Sequence, residues 1–268
     1  MAEPIRYVLT DAEFDVVWDR LMLGATPAAL RLPSPGRTRA ERLRIAADGL
    51  HGLRARGLAG PSGPDPGLVR LLGLLARPHH QLEVRGWFGH PLRAVGADRD
   101  GEGALAVHAD RTVTVSSAGS PAHAAVSALP HRRPGPGPAL VVPTVLLERV
   151  LAPGRTGGAL RAGDPAGAGP AAAPAAGDPL VGPEARLRGM LHGPAHRAQV
   201  CAVRYDRWGN PHRPSGQVTV VDSAAGRYRL TRDACRDTGW ATLAPVDDRR
   251  LRPLLAGLLE LSPGPSAA

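Results

Sequence analysis

Residues 9–60 read LTDAEFDVVWDRLMLGATPAALRLPSPGRTRAERLRIAADGLHGLRARGLAG and contain the signals of two helices. Thr10 and Glu13 have the spacing of a capping box, in which each side chain binds the backbone N–H of the other residue. Gly24 is placed to end the first helix in the left-handed conformation. Between Thr10 and Gly24, apolar residues recur at the spacing of one buried helical face: Phe14, Val17, Trp18, Leu21 and Met22.

The second helix repeats this pattern. Thr38 and Glu41 form another capping-box pair, and Gly57 is placed to end the helix. The predicted buried face consists of Leu43, Ala46, Leu50 and Leu53. Arg39, Arg42 and Arg44 are expected to form one solvated face. The prolines of the connecting segment, Pro27 and those of LPSPG at 32–36, predict an extended connection because proline interrupts a helix.

The order and spacing of these segments resemble the EspG family of proteins associated with actinobacterial type VII (ESX) secretion. The resemblance is carried by LTDAEF at 9–14 with Trp18, LPS at 32–34, GRT at 36–38 with Glu41 and Arg42, and RGL at 56–58. It continues through 74–78 and 84–86, and it returns at Gly239-Trp240 and in the C-terminal helix. Residues 153–179 match nothing in that family. The resemblance implies an α+β fold with quasi-twofold halves.

Composition argues against a nucleic-acid partner. The chain has 268 residues and a formal net charge of +9, and every basic residue is arginine. The arginines are scattered among Asp and Glu, whereas phosphate tracking needs a contiguous basic stripe. Aromatic residues make up only 3% of the chain, so stacking surfaces for single strands are scarce.

Other sequence features favour a cytoplasmic protein. No apolar run approaches the ~20 residues of a membrane span, and the first residues, MAEPIR, lack the order of a signal peptide. Cys201 and Cys235 stand too alone for a disulfide framework or a metal knuckle. We therefore expect no membrane insertion and a cytoplasmic location.

After the second helix, the chain changes from helical to strand patterning. Asp65 is placed to cap a third helix with Pro66 at its first position. From residue 81, Leu82 and Val84 alternate with Glu83 and Arg85, which predicts strands with one face on the core. The predicted strands continue over 90–96, 105–107 and 113–115, with a turn over 96–103. Short helices are predicted at 121–129 and 143–151.

Residues 153–179 consist almost entirely of Ala, Gly and Pro, which predicts a flexible linker. The linker divides the chain into an N-terminal part, 1–152, and a C-terminal part, 180–268. The second part repeats the order of the first, with a helix at 180–192, strands at 199–205, 217–221, 227–231 and 239–243, and a closing helix interrupted by Pro253. The predicted fold is α+β, with an antiparallel sheet built from two quasi-repeated helix–meander–helix halves and helices grouped at the sheet ends. The halves are expected to form one domain.

Motifs that would indicate catalysis lack their usual context. Gly101, Gly103 and Ala106 fit G-x-G-x-x-A, but they lie between two strands instead of opening a helix. His192 and His196 have the spacing of metal ligands on a helix, and Gly193-Pro194 breaks the helix between them. His79, His80 and His90 have no adjacent carboxylate or thiol, and Cys201 has no motif around it. We expect no enzyme activity, no cofactor and no metal.

The resemblance implies a cytosolic chaperone that binds the helical tip of a PPE-like secretion substrate, either alone or as part of a PE–PPE heterodimer, and keeps it soluble and export-competent. A WXG-type helical hairpin is the alternative client. The alternative function is a regulatory or scaffold protein on the same fold without a secreted client. The protein itself is expected to be a monomer or weak dimer. The candidate partner-binding residues, chosen from their positions, are Asp98, Asp100, Glu102, Arg204, Trp208, Asp222, Arg227 and Arg229.

Overall fold

The computed structural model describes residues 5–32, 34–151, 181–193, 195–213, 216–232 and 239–260. The predicted linker at 153–179 lies outside these residues, as does Cys235. In chain order the described elements are β1 (Arg6–Thr10), α1 (Asp11–Arg20), α2 (Arg39–Ala55), β2 (Ala59–Gly60), β3 (Gly63–Pro64), α3 (Pro66–Ala76), β4 (His80–Trp87), β5 (Pro91–Arg99), β6 (Glu102–Ala109), β7 (Thr112–Ala118), α4 (Pro121–Ser127), β8 (Leu140–Pro143), α5 (Thr144–Leu151), α6 (Val181–Met190), β9 (His196–Tyr205), β10 (Pro211–His212), β11 (Gln217–Ser223), β12 (Gly226–Arg232), β13 (Trp240–Pro245) and α7 (Asp248–Glu260).

The chain folds into two compact units that interleave along the sequence. Unit 1 comprises residues 1–131, 198–218 and 248–268, and unit 2 comprises 132–197 and 219–247. The predicted division into 1–152 and 180–268 follows chain order alone and stays a prediction. The mixed α+β class with antiparallel strand pairing is confirmed in both units.

In unit 1 the strands follow the order β1-β7-β6-β5-β4-β9, and β10 pairs with β9. Helices α1 and α3 share a core with one face of this sheet. On the other face α4 approaches so closely that a Cβ at Gly96 would lie 2.6 Å from the Cβ of Ala124. Helix α7 in turn packs on α4. The sheet is therefore covered on both faces, and side chains on both faces of β4 are buried.

Both predicted capping boxes are present, at Thr10 with Glu13 and at Thr38 with Glu41. The predicted buried faces are partly wrong. Helix α1 ends at Arg20, and Met22 beyond it adopts φ 51° with 84% of its surface exposed. Leu43 is also exposed.

The arginines of α2 do not form the uniformly solvated face that was expected. Arg42 forms ion pairs with Asp15 and Asp19 of α1, which turns its side chain toward the neighbouring helix. These ion pairs raise the pKa of Arg42, with the hydrogen bond to Asp15 as the main cause.

The hairpin between β5 and β6 is tighter than predicted. The expected eight-residue turn over 96–103 is wrong, because β5 continues to Arg99 and β6 begins at Glu102. The two remaining residues, Asp100 and Gly101, have φ of 53° and 82°. Two consecutive positive φ values are typical of the Asp-Gly type I′ turn, whose twist matches that of the flanking strands.

In unit 2 the strands follow the order β11-β12-β13-β8, and β8 was not predicted from the sequence. Helices α5 and α6 form a core with this sheet. Its fully buried residues include Leu147 of α5, Leu187 of α6 and Tyr228 of β12. The closing helix of the chain, α7 in unit 1, forms as predicted with Pro253 inside it. The quasi-repeat of two halves stays a prediction.

Candidate functional site

A groove of about 670 Å³ lies in unit 1, where β4 begins and where β5 and β9 end. Its lining comes from three places in the sequence: residues 76–80, Arg99 and residues 204–209. The apolar part includes Pro78, Tyr205 and Trp208, and the polar part includes arginines and histidines. An apolar patch with a polar rim is the usual composition of a protein-binding surface.

Trp208 lies at the tip of the turn between β9 and β10 and is 70% exposed. Asp206 shapes this turn. Its Oδ1 accepts hydrogen bonds from the backbone N–H groups of Trp208 and Asn210, both at 2.8 Å, and its Oδ2 accepts one from Asn210 Nδ2 at 2.9 Å. These bonds, first those from Asn210, hold the pKa of Asp206 well below its usual range. The exposed indole is therefore carried on an ordered turn.

Arg207 stacks on the same indole. The Cζ atom of its guanidinium lies 3.9 Å from the centroid of the Trp208 ring. At this distance the cation is attracted by the negative face of the ring. The tip thus presents an aromatic surface and a positive charge side by side.

The segment that follows the tip is held by a buried carboxylate. Glu83 of β4 is only 2% exposed, and Arg213 forms two hydrogen bonds with it at 2.8 and 2.9 Å. Arg85 and Gln81 donate to the same carboxylate, at 2.8 and 3.1 Å. The bond to Glu83 is the main cause that raises the pKa of Arg213.

Sequence reasoning missed the Glu83 cluster. The alternation in β4 predicted Glu83 on a solvent-facing side, and that prediction is wrong because both faces of the strand are covered. Tyr205, which lines the groove, also reaches this cluster, since its hydroxyl donates to Gln81 Oε1 at 3.1 Å. Burial is the main cause that raises the pKa of Tyr205. The only sequence signal for this cluster is the charged residue Glu83 within the alternating pattern of β4.

The structure brings several of the predicted partner-binding residues to this groove. Arg204 and Trp208 line it. Asp98 binds the lining residue His80, with 3.0 Å between Oδ1 and Nδ1. Asp100 lies 3.3 Å from Arg99 Nε. Glu102 instead pairs with Arg70 of α3 at 2.7 Å.

Comparison with known proteins identifies the family of this chain. The model of the EspG family matches residues 10–257. The chain belongs to the EspG family. No curated protein is significantly similar to it in sequence. Among solved structures, it is similar to the Mycobacterium tuberculosis type VII secretion system chaperone EspG5 in complex with the PE25–PPE41 dimer, with a TM-score of 0.62, 15% identity, and 97% of each chain covered. This likeness shows that the two chains share a fold.

Two predicted site residues of this EspG-family protein are buried, contrary to expectation. Asp222 and Arg227 in unit 2 are 4% and 0% exposed, and they form a two-point ion pair with both N···O distances at 2.8 Å. The backbone of residues 133–135 pairs with the backbone of Arg227: the Arg227 N–H donates to Arg133 O, and the Arg227 carbonyl accepts from the Gly135 N–H. Because both side chains are buried and bound to each other, Asp222 and Arg227 are not accessible to a partner as predicted, whereas Arg229 is half-buried.

Among the described residues, no three His, Cys, Asp or Glu side chains are arranged to hold a metal ion. No helix of the described part is long and apolar enough to cross a membrane. Cys201 is half-buried, and burial is the main cause that raises the pKa of its thiol. A raised pKa keeps the thiol protonated and weakens it as a nucleophile.

Proposed function

We propose that this protein is a cytosolic chaperone or adaptor of type VII secretion. It binds the helical tip of a PPE-like substrate, carried as a PE–PPE heterodimer, and keeps that substrate soluble and competent for export. The observation that carries the proposal is membership of the EspG family over residues 10–257. The shared fold with EspG5, whose structure is that of a complex with PE25–PPE41, supports it.

The groove around Trp208 is the proposed client site. An exposed apolar helix tip promotes aggregation, so a chaperone needs an apolar surface that covers it. Exposed tryptophan and arginine side chains are the residues that most often dominate binding energy at protein interfaces. Asp206 and the Glu83–Arg213 pair hold the tip in place before the client arrives, which reduces the entropy lost on binding.

Co-expression with candidate clients tests the proposal. The tagged protein is produced with each PE–PPE pair and each WXG-type protein encoded near its gene, and complexes are isolated by affinity capture and gel filtration. A stable complex with a PE–PPE pair is expected. Trp208→Ala should raise its Kd by about 30-fold, the effect of losing about 2 kcal/mol at a central contact.

Trp240→Ala provides the matched control, because Trp240 is also exposed and lies in unit 2, outside the groove. This variant should bind as the parent does. If neither a PE–PPE pair nor a WXG-type protein binds, the chaperone function is refuted and a scaffold role without a secreted client takes its place. If clients bind and both tryptophan variants behave alike, the function stands and the groove is not the client site.

A further inference from the structure

The groove in unit 1 carries more positive than negative charge. Four of its lining residues are arginines: Arg77, Arg99, Arg204 and Arg207. Among the described lining residues Asp206 is the one carboxylate. Its oxygens already accept bonds from Trp208, Asn210 and His212, so it offers little to a partner.

The carboxylates in and next to the groove cancel only part of this charge. Asp98 is bound to His80 and Asp100 to Arg99, with His79 at 3.8 Å from Asp100. With Asp98 and Asp100 included, the groove and its edge carry four arginines and three carboxylates, which leaves an excess of one positive charge, and Asp100 is paired with one of these arginines, Arg99. The Arg99 side chain remains 45% exposed despite its contact with Asp100.

The position of Arg207 is suited to binding a carboxylate. The Cζ atom of its guanidinium lies over the indole of Trp208, 3.9 Å from the ring centroid. A guanidinium carries five N–H donors in a fork that matches the two oxygens of a carboxylate, and a cation–π contact with a ring uses none of them as a hydrogen bond to a carboxylate. A client that places an apolar side chain on Trp208 would therefore bring its neighbouring residue within reach of a preoriented arginine.

From these observations we infer that the groove selects a client whose helical tip carries an acidic side chain beside its apolar contact residue. This inference rests on the proposed function and names the chemistry that the client must have. Charges at the rim of an interface mainly govern association rate and partner choice. The arginines would thus distinguish acidic-tipped clients from neutral or basic ones.

The test uses the full-length protein and the PE–PPE pair captured by co-expression. The double variant Arg99→Glu/Arg207→Glu should weaken binding by about tenfold or more, mainly through a slower association rate. For the parent, raising NaCl from about 50 mM to about 500 mM should slow association, because salt screens exposed charges. Arg39→Glu/Arg44→Glu is the matched control, since both residues are exposed on α2 outside the groove.

A charge swap gives the decisive measurement. Replacing the acidic residue at the client tip by arginine should weaken binding to the parent and restore binding to Arg99→Glu/Arg207→Glu. If the PE–PPE pair binds and neither arginine reversal nor salt changes its association, the inference is overturned while the proposed function stands. If no PE–PPE pair and no WXG-type protein binds the parent, the proposed function fails and the inference fails with it.

Discussion

Asp206 illustrates how one side chain orders a candidate binding residue. Its carboxylate accepts hydrogen bonds from the backbone N–H groups of Trp208 and Asn210 and so fixes the turn that carries the indole. Because the bonds are made to the ionised carboxylate, they lower its pKa. Because the pKa of Asp206 is lowered, its contribution to the stability of the turn is fully present above the ordinary carboxylate pKa of ~4. This contribution is lost only as the pH falls through the lowered pKa of the folded state.

Asp206→Ala should therefore loosen the turn without changing its exposed residues. We expect the protection of the Trp208 and Asn210 amides against hydrogen exchange to fall by about tenfold, as for the loss of a charge-assisted hydrogen bond. Asp206→Asn keeps one oxygen acceptor, so the protection of these two amides should fall less than in Asp206→Ala. Client binding should weaken in the same order. Equal protection in all three proteins would show that the turn is ordered by Gly209 and the β9–β10 pairing alone.

Tyr7 provides a pH-dependent contact between β1 and α3. Its hydroxyl donates to Asp65, which caps α3 by accepting from the N–H groups of Gly67 and Leu68. Burial first, and then the bond to Asp65, raise the pKa of Tyr7 to about 12. The same hydrogen bond is the main cause that lowers the pKa of Asp65.

Since the folded-state pKa of Tyr7 lies above the value of ~10 for a free phenol, its contribution to stability is present below pH ~10 and lost between about 10 and 12. Tyr7→Phe should lower the free energy of unfolding by about 1 kcal/mol at neutral pH, measured by urea denaturation. In an ultraviolet titration of the folded protein, the variant should lack the phenol that ionises near pH 12. If the phenol that the variant lacks ionises near pH 10 in the parent, the assignment is contradicted.

At the scale of elements, local capping signals fix where helices begin, and ion pairs fix how the helices pack together. The capping boxes set where α1 and α2 start, and they involve residues only three positions apart. Glu13 then pairs with Arg56 at 2.6 Å, and Arg42 pairs with Asp15 and Asp19. These contacts join α1 to α2 and the residue that follows it, and they account for the failure of the predicted solvated face.

A close approach in unit 2 gives a sharper test of packing. A Cβ added at Gly135 would collide with the ring of Tyr228, whose hydroxyl donates to Pro136 O. Gly135→Ala should lower the free energy of unfolding by about 1–3 kcal/mol, the usual cost of overpacking. Gly182→Ala is the matched control, because nothing lies within 4 Å of its added Cβ in α6.

The control should stabilise the protein slightly, since alanine is about 0.5–1 kcal/mol better than glycine in a helix. Urea denaturation monitored by circular dichroism measures both variants. If Gly135→Ala unfolds at the same urea concentration as Gly182→Ala, the segment 134–137 does not pack on Tyr228 as described.

At the scale of the molecule, unit 1 is assembled from three separate stretches of chain. Its strand order places β9 beside β4, although more than 100 residues separate the two strands. Helix α7, from the end of the chain, packs on α4. A cut after residue 152 therefore removes parts of unit 1 as well as most of unit 2.

The fragment 1–152 should accordingly fail to fold on its own. Without β9 the edge of β4 is left unpaired, and without α7 the outer side of α4 loses its cover, and both changes favour aggregation. Gel filtration and amide NMR dispersion of this fragment, compared with the full chain, measure the effect. A monomeric fragment with well-dispersed signals would show that the N-terminal part is an independent domain.

Much of the fold was predictable because its signals are local. The capping boxes of α1 and α2, and the Asp65 cap of α3 with Pro66 at its first position, are specified by residues within a few positions of one another. The resemblance to the EspG family rests on such segments in their order. The candidate site was predictable only in part: position in the chain indicates Trp208 and Arg204, whereas no local pattern indicates Glu83 or Arg213.

The sequence by itself determined the helices, most strands, the α+β class and the family. The tertiary structure alone decided that Glu83 is buried beneath Arg213, 130 residues away, and that Asp222 and Arg227 bind each other inside unit 2. It also decided that Arg99 meets the Trp208 turn in one groove. Burial and long-range pairing depend on which elements cover a residue, and alternation along a strand carries no information about a helix or strand that arrives from elsewhere in the chain.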